Sequence, residues 1–408
     1  MIFYNNDLKL LLLGAGIEQK IVIEHAHELG VSVIAVDANP AAIGLKFADK
    51  SIVSDIKNIS KMSKIAKDED VDGVFTHAIE IPHIVAEVAR QNNLPGIDPS
   101  IAYNATNKLE RIKIFKDNDI PSPNFEYASS LQETIEKAKK FELPFVLKPV
   151  DSAGARGVLK IETYSDIPNL YQEVISSSAS KTVLLEEYLE GPEVSTEAVI
   201  IDGEIITTGF ADRNYSEKQR FKPFFIENGH TIPSMLSNDI QKKVIETTEK
   251  AIKSLKINFG VAKGDVIIDH GTPKILEMAA RTSGGRFCSD TVPLSTGINI
   301  LKPLIQISLG LKPNKDFLTK KYNKAVAQRY FLPQPGKILS INGLSECKNL
   351  PGIYDIFLRS DVSKGYVIKQ IKNHLDRLGH VISFGPTRDE AIQNVERGIN
   401  CINFEVLN

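Results

Sequence analysis

Asp265-Val266-Ile267-Ile268-Asp269, a turn around His270-Gly271-Thr272, and then Ile275-Leu276-Glu277-Met278-Ala279-Ala280-Arg281 is the stretch on which the fold turns. Val261–Ile268 and Ile275–Met278 are otherwise apolar, so the two halves read as paired strands. With a three-residue turn, Asp269 faces Pro273 and Asp265 falls opposite Glu277 on one face of the sheet; a two-residue turn would break that pairing. Carboxylates so opposed repel unless a cation lies between them. Their oxygens are the ligands Mg²⁺ prefers, shared with substrate phosphates. Two solvated strand carboxylates are the bland alternative, and the apolar neighbours count against it. Arg281 stands four residues beyond Glu277, where a fixed cation stabilises charge on a transferring phosphoryl group or a tetrahedral adduct. Ser283-Gly284-Gly285 follows, and its glycines let the chain pass close to a ligand.

Two earlier stretches share the theme. Phe145-Val146-Leu147-Lys148-Pro149 is an apolar strand carrying one lysine, and a buried ammonium needs an anion. The loop Asp151–Val158 comes next, where Gly154 and Gly157 let backbone N–H groups approach phosphate oxygens, with Ser152 and Arg156 as added donors. Because the lysine precedes the glycines, this is not a Walker A loop; alone it could equally be a flexible hairpin turn. In Leu184–Glu193, Leu184, Leu185, Tyr188 and Leu189 can floor an adenine beside backbone donors and acceptors. Glu186 is suited to accept from the amine region or from a lysine, and Glu193 from ribose hydroxyls. A solvated acidic loop is the competing reading.

Residues 8–105 alternate strand and helix: an apolar run at Leu8–Leu13, the turn Gly14-Ala15-Gly16, a helical face through Val22, Ala26 and Leu29, and strands at Val31–Val36 and Gly73–Thr76. Pro82 opens a further helix. The pattern is doubly wound α/β, with its crevice at the strand C-terminal ends. Ile17-Glu18-Gln19 denies the first turn its third glycine, so dinucleotide binding is disfavoured against a plain tight turn. Between 106 and 195 the pattern predicts helices at 107–118 and 131–141, strands at 145–149, 158–161 and 182–188, and a helix from about Ser165. Asp202-Gly203 marks a hairpin, and Ile240, Val244, Ile245, Thr248, Ala251, Ile252 and Leu255 mark an amphipathic helix. From 313 onward the chain is strand-rich and closes on a helix at 389–399. The expected division is 1–105, 106–312 with a small lid at about 120–190, and 313–408.

A chain of 408 residues exceeds one ordinary core. A net charge of −2, without a basic stripe, gives no footprint for nucleic acid, and no apolar run spans a membrane. Met1–Asp7 shows no signal-peptide pattern and leads towards a strand. Cys288, Cys347 and Cys401 are isolated, which disfavours a disulfide framework or zinc site and indicates a cytoplasmic protein. His25 and His27 lie on different helix faces. His77 and Glu80 fall at the α/β crevice, where Glu80 is a candidate for receiving an amine. His230 is an acceptor-pocket candidate against the stronger prior of a satisfied structural histidine. Cys288, with no paired base, reads as packing.

These residues together resemble the ATP-grasp superfamily of carboxylate–amine ligases over nearly the whole chain. The likeness implies a pre-ATP-grasp Rossmann-like domain (with Phe47-Ala48-Asp49), an α+β ATP-grasp fold and a C-terminal strand-rich α+β domain. Asn107-Lys108 is similar to the family's first ATP lysine, ahead of Asp119-Ile120-Pro121-Ser122-Pro123, and Lys148 to its second. Glu186, Glu187, Tyr188 and Leu189 match the adenine segment, Glu193 the ribose glutamate, Asp265 and Glu277 the metal carboxylates, and Arg281 the acyl-phosphate arginine. Two departures stand out. Glu277-Met278-Ala279 replaces the usual Glu-x-Asn, so one Mg²⁺ ligand is missing or replaced by water, and Lys263-Gly264-Asp265 replaces His-x-Glu. Glu-x-Ala-Ala-Arg with Gly-Gly is closer to the L-amino-acid ligase branch than to biotin carboxylase, as are Pro223–Ser234, while Asp376–Ile382 resembles the C-terminal domain. The resemblance implies ATP, Mg²⁺ or Mn²⁺, small-molecule carboxylate and amine substrates, an acylphosphate intermediate and a possible homodimer. Two alternatives remain: formate or bicarbonate activation, and a nucleotide-binding regulator with a weak site.

Overall fold

The computed structural model describes residues 8–407; the Met1–Asp7 reading lies outside the described residues. Lys9–Leu13 forms the centre of a parallel four-stranded sheet, flanked by Ser32–Asp37 and Gly73–Phe75, with Lys50–Val53 at the far edge. Leu10 to Leu13 are wholly buried because helices cover both faces. Leu10 and Leu12 join a core with Leu301, Leu304 and Ile305, whereas Leu11 and Leu13 face Met62, Ala66 and Val88. Gly14 turns the chain at φ 98°, where a Cβ would meet Ile79 Cδ1 at 2.3 Å, so only glycine serves.

The second sheet has four antiparallel strands in the order Phe125–Ala128, Val183–Glu187, Phe145–Pro149, Leu159–Ile161. Helices Leu131–Ala138 and Ile167–Ser176 cover it through Ala138, Tyr171 and Val174. The strand Phe125–Ala128 escapes the sequence reading, since Phe125-Glu126-Tyr127-Ala128 is too short to show a period.

The third sheet is the spine. Its eight antiparallel strands run Thr272–Ala279, Gly260–Asp269, Glu193–Ile201, Glu204–Arg213, Gly229–Ile232, Ala325–Tyr330, Gly379–Gly385, Ile353–Leu358. Strands on either side of residue 312 thus belong to one sheet, joined where Gly229–Ile232 pairs with Ala325–Tyr330. Helix Asn238–Ser254 starts where the Ser237 side chain accepts the Ile240 N–H. It buries Val244, Ala251 and Ile252 against Val266, Ile268 and Met278, as its 3.6-residue spacing requires. Two further helices, Val292–Thr296 and Leu301–Ser308, follow in the stretch read as holding one long helix. The last helix, Arg388–Cys401, is capped by the Thr387 and Glu390 box and is followed by an unforeseen strand, Asn403–Leu407. That strand pairs with Gly336–Asn342.

The decisive hairpin corrects one expectation and keeps its consequence. Its loop is two residues, His270 at φ 47° and Gly271 at φ 80°, the paired positive values of a tight primed turn. Asp269 therefore faces Thr272, not Pro273. The ladder then slips by one residue between Asp265 and Val266, leaving Leu276 unpaired, and this bulge sets Asp265 opposite Glu277 after all.

Candidate active site

Between the small sheet and the spine lies a cavity of about 1040 Å³. Of the residues singled out above as candidates for substrate, nucleotide or metal, all line it except Gly157 and the wholly buried Leu184 and Leu185, which pack in apolar cores and cannot floor an adenine. Gly157, at φ 70°, closes the glycine-rich turn against Pro149 and Ser177, where a Cβ would sit 3.1–3.3 Å from their atoms.

Lys108 opens helix Lys108–Asp117, whose first turn is capped by Asn107 accepting from Leu109 N and Glu110 N. Its buried ammonium donates to the Ser152 carbonyl, and burial pulls its pKa down to about 8. Lys148, from the centre of the small sheet, pairs with Glu186 across the adjacent strand at 2.6 Å, both nearly buried. Glu186 thus meets a lysine, one of the two partners expected for it. In the glycine-rich turn, Gly154, Ala155 and Gly157 have positive φ, and the Ser152 hydroxyl donates to the Arg156 carbonyl at 2.8 Å. Arg156 folds its own Nε onto the Ala153 carbonyl at 2.9 Å, so both expected anion donors engage the loop itself.

Glu187 accepts from Lys274 at 3.1 Å and from Asn124 at 2.8 Å. The Tyr188 ring carries the Lys160 ammonium 4.1 Å from its centroid, and Leu189 is buried. Burial pushes the Glu193 carboxyl up to about 7 despite Arg213 at 3.8 Å. Asp265 accepts from Ser195 and from Arg213, each at 2.8 Å, and from Lys263, which also lies 3.5 Å from Glu277. Burial would raise Glu277, but Lys263, Lys108, Arg111 and Arg281 together hold it well below the usual carboxylate range. Arg281 pairs with Glu80 at 2.6 Å, tying the spine to the first sheet's crevice.

The Ser283 N–H donates to Glu197 at 2.6 Å and the Gly285 N–H to Glu18 at 3.2 Å, which fixes the Ser-Gly-Gly turn around Gly284. His230 lies 2.8 Å from Thr291 Oγ1 through Nε2 and packs against the Phe287 edge; burial pushes its pKa down to about 4, so it is neutral. His77 is buried against Thr282 and does not line the cavity. Cys288 is buried, with Sγ 3.3 Å from the Ser283 carbonyl, and burial pushes its thiol up, in keeping with packing.

Several lining residues have no local signal in the sequence. Arg213 reaches Glu227 at 3.0 Å, and Arg377 stacks on Tyr330 at 3.6 Å from the ring centroid. The His374 N–H donates to the Gly154 carbonyl at 3.0 Å, so a C-terminal segment touches the glycine-rich turn. Only Lys263 was within reach of sequence logic, two residues before Asp265 and therefore on the same strand face.

The acid pair suits a divalent cation that arrives with phosphate. Among the described residues no cluster of three or more His, Cys, Asp or Glu side chains is set to hold a metal, so Mg²⁺ would need phosphate and water oxygens beside these two carboxylates.

Residues 105–285 match the ATP-grasp domain family. Residues 329–407 match L-amino acid ligase C-terminal domain 2. The L-amino acid ligase of Bacillus licheniformis shares the fold with a TM-score of 0.84 at 20% identity, over 99% of this chain and 100% of that one. An uncharacterized protein of Sinorhizobium fredii, y4rH, is 23% identical over 94% of this chain and 80% of its own length. The formate-dependent phosphoribosylglycinamide formyltransferase of Prochlorococcus marinus is 30% identical over 44% of this chain and 47% of its own. Among the described residues no helix is long and apolar enough to cross a membrane.

Proposed function

We propose that the chain uses ATP to activate a small-molecule carboxylate as an acylphosphate and joins it to an amine, releasing ADP and phosphate. The observation that carries this reading is the convergence of Lys108, Lys148, the opposed Asp265 and Glu277, and Arg281 on one cavity. Lys108, Lys148 and the glycine-rich turn hold the phosphates; Glu186 to Leu189 receive the adenine and Glu193 the ribose. Asp265 and Glu277 are the residues that would hold Mg²⁺, which would neutralise phosphate charge. Arg281, fixed by Glu80, stabilises the charge that develops when the carboxylate oxygen attacks the γ-phosphorus and later when the amine displaces phosphate. Positioning and charge carry the catalysis, and the small sheet excludes water that would hydrolyse the acylphosphate. Glu80, His230 and the Ser283–Gly285 turn border the carboxylate and amine end. The three free thiols accord with a reducing, cytoplasmic setting.

The test is a screen of amino-acid pairs, with formate and bicarbonate as separate arms, scored by phosphate release and product mass. ADP formation that needs both a carboxylate and an amine, with one amide per ADP, is the expected result. Turnover on formate or bicarbonate alone would move the chain to a different acyl group, and nucleotide binding without turnover under any pair would reject the ligase reading.

A further inference from the structure

The acid pair is already occupied by charge. Lys263 precedes Asp265 by two residues, so strand periodicity carries its side chain to the same face. Its ammonium contacts Asp265 and lies 3.5 Å from Glu277. Arg213 reaches the same Asp265 oxygen at 2.8 Å, while Ser195 donates to the other oxygen at 2.8 Å. Both oxygens of Asp265 thus have partners before any ligand arrives, and the two carboxylates face two fixed cations.

A divalent ion seated directly between Asp265 and Glu277 would have to expel the Lys263 ammonium from a site where that side chain is only 12% exposed. Removing one partner of a buried ion pair is costly unless another charge replaces it. Nor is there a spare ligand for two ions. Two residues beyond Glu277 the same face carries the methyl of Ala279, and no third acidic, histidine or cysteine ligand joins the pair among the described residues. Mg²⁺ demands six oxygens in near-octahedral array, which one ion can complete from Glu277, phosphates and water.

We propose that Lys263 fills the place of a second metal ion, so that the chain loads one divalent cation with its nucleotide, held chiefly by Glu277. The ammonium stays on Asp265 and supplies the other positive charge from within the protein. This rests on the nucleotide reading given above and narrows it to a mixed site of one metal ion and one lysine.

Counting bound Mn²⁺ on the full chain by electron paramagnetic resonance, with a non-hydrolysable ATP analogue at saturation, tests this without turnover. The wild type is expected to bind one Mn²⁺ per bound nucleotide, Lys263→Asn two, and Lys263→Arg one. Two Mn²⁺ in the wild type or in Lys263→Arg would overturn the proposal, as would one in a nucleotide-loaded Lys263→Asn. Should Lys263→Asn fail to fold, the wild-type and arginine counts still decide. Equilibrium dialysis of the analogue separates the two levels: no binding to the wild type overturns the nucleotide reading along with this one, whereas binding with two Mn²⁺ overturns only this one.

Discussion

Lys148→Met removes one half of an ion pair whose side chains are 9% and 5% exposed, leaving Glu186 a buried carboxylate without its cation. Breaking such a pair costs about 3–5 kcal/mol, and the low end applies because both groups border a cavity open to water. If the chain of 408 residues melts as one unit with about 2.1 cal/mol/K of unfolding entropy per residue, about 3 kcal/mol lowers Tm by about 4 °C. Losing a charged hydrogen bond to phosphate costs about 1.5–3 kcal/mol more in binding, a rise in ATP Kd of about 10- to 100-fold. The two effects separate in Lys148→Met/Glu186→Leu. Replacing a buried pair by apolar groups is often neutral, so Tm should return to within about 1 °C of wild type while ATP affinity stays low. Differential scanning calorimetry and titration calorimetry with ATP read the two quantities. An unchanged Tm in the single variant would show that the pair does not hold the small sheet. Wild-type ATP affinity in the double variant would refute the phosphate role of Lys148.

Three further outcomes are expected. Glu277→Ala should abolish Mg²⁺-dependent ADP formation, and unaltered turnover would remove the metal role. Glu197, whose carboxyl burial raises from its ordinary 4.5 to about 7, favours folding in its protonated form, so this contribution is full below pH 4.5 and lost as pH rises through 7. Denaturant titrations of Glu197→Gln against wild type should therefore shift in favour of the variant by about 3 kcal/mol between pH 4 and pH 8, and a constant difference would contradict the burial effect. Gly229→Ala places a Cβ 2.0 Å from the Gln328 carbonyl at φ 115°, so it should destabilise by about 3 kcal/mol at the joint between Gly229–Ile232 and Ala325–Tyr330; a neutral result in urea melts would show that the joint can yield.

The parts of the site visible in sequence are those whose geometry is set by a local period. Phe145–Pro149 is found to the residue because an apolar run with one lysine is bounded by turn residues. The Asp265–Glu277 pairing is legible because strands alternate, although the turn length inferred for it is wrong. Bulge and shorter turn each displace the register by one, and no spacing rule reveals two errors that cancel. Arg213, Glu227, His374 and Arg377 are illegible for another reason. They come from distant strands and loops, and their partners are fixed by how sheets stack, not by neighbours in the chain. The strand Asn403–Leu407 is hidden because its apolar residues have a partner only once Gly336–Asn342 has folded beside it.

The contact of His374 with Gly154 has a mechanical consequence. Lys372 also bridges to Glu173 at 2.7 Å on the small sheet's helix, and Ile371 sits within that sheet's apolar core. The small sheet and its glycine-rich turn are therefore stitched to the far end of the chain, and moving them outward tears several bonds at once. On the nucleotide role proposed above, damage to the stretch from Ile371 to Arg377 would surface as altered ADP departure, in a region that carries no nucleotide motif of its own.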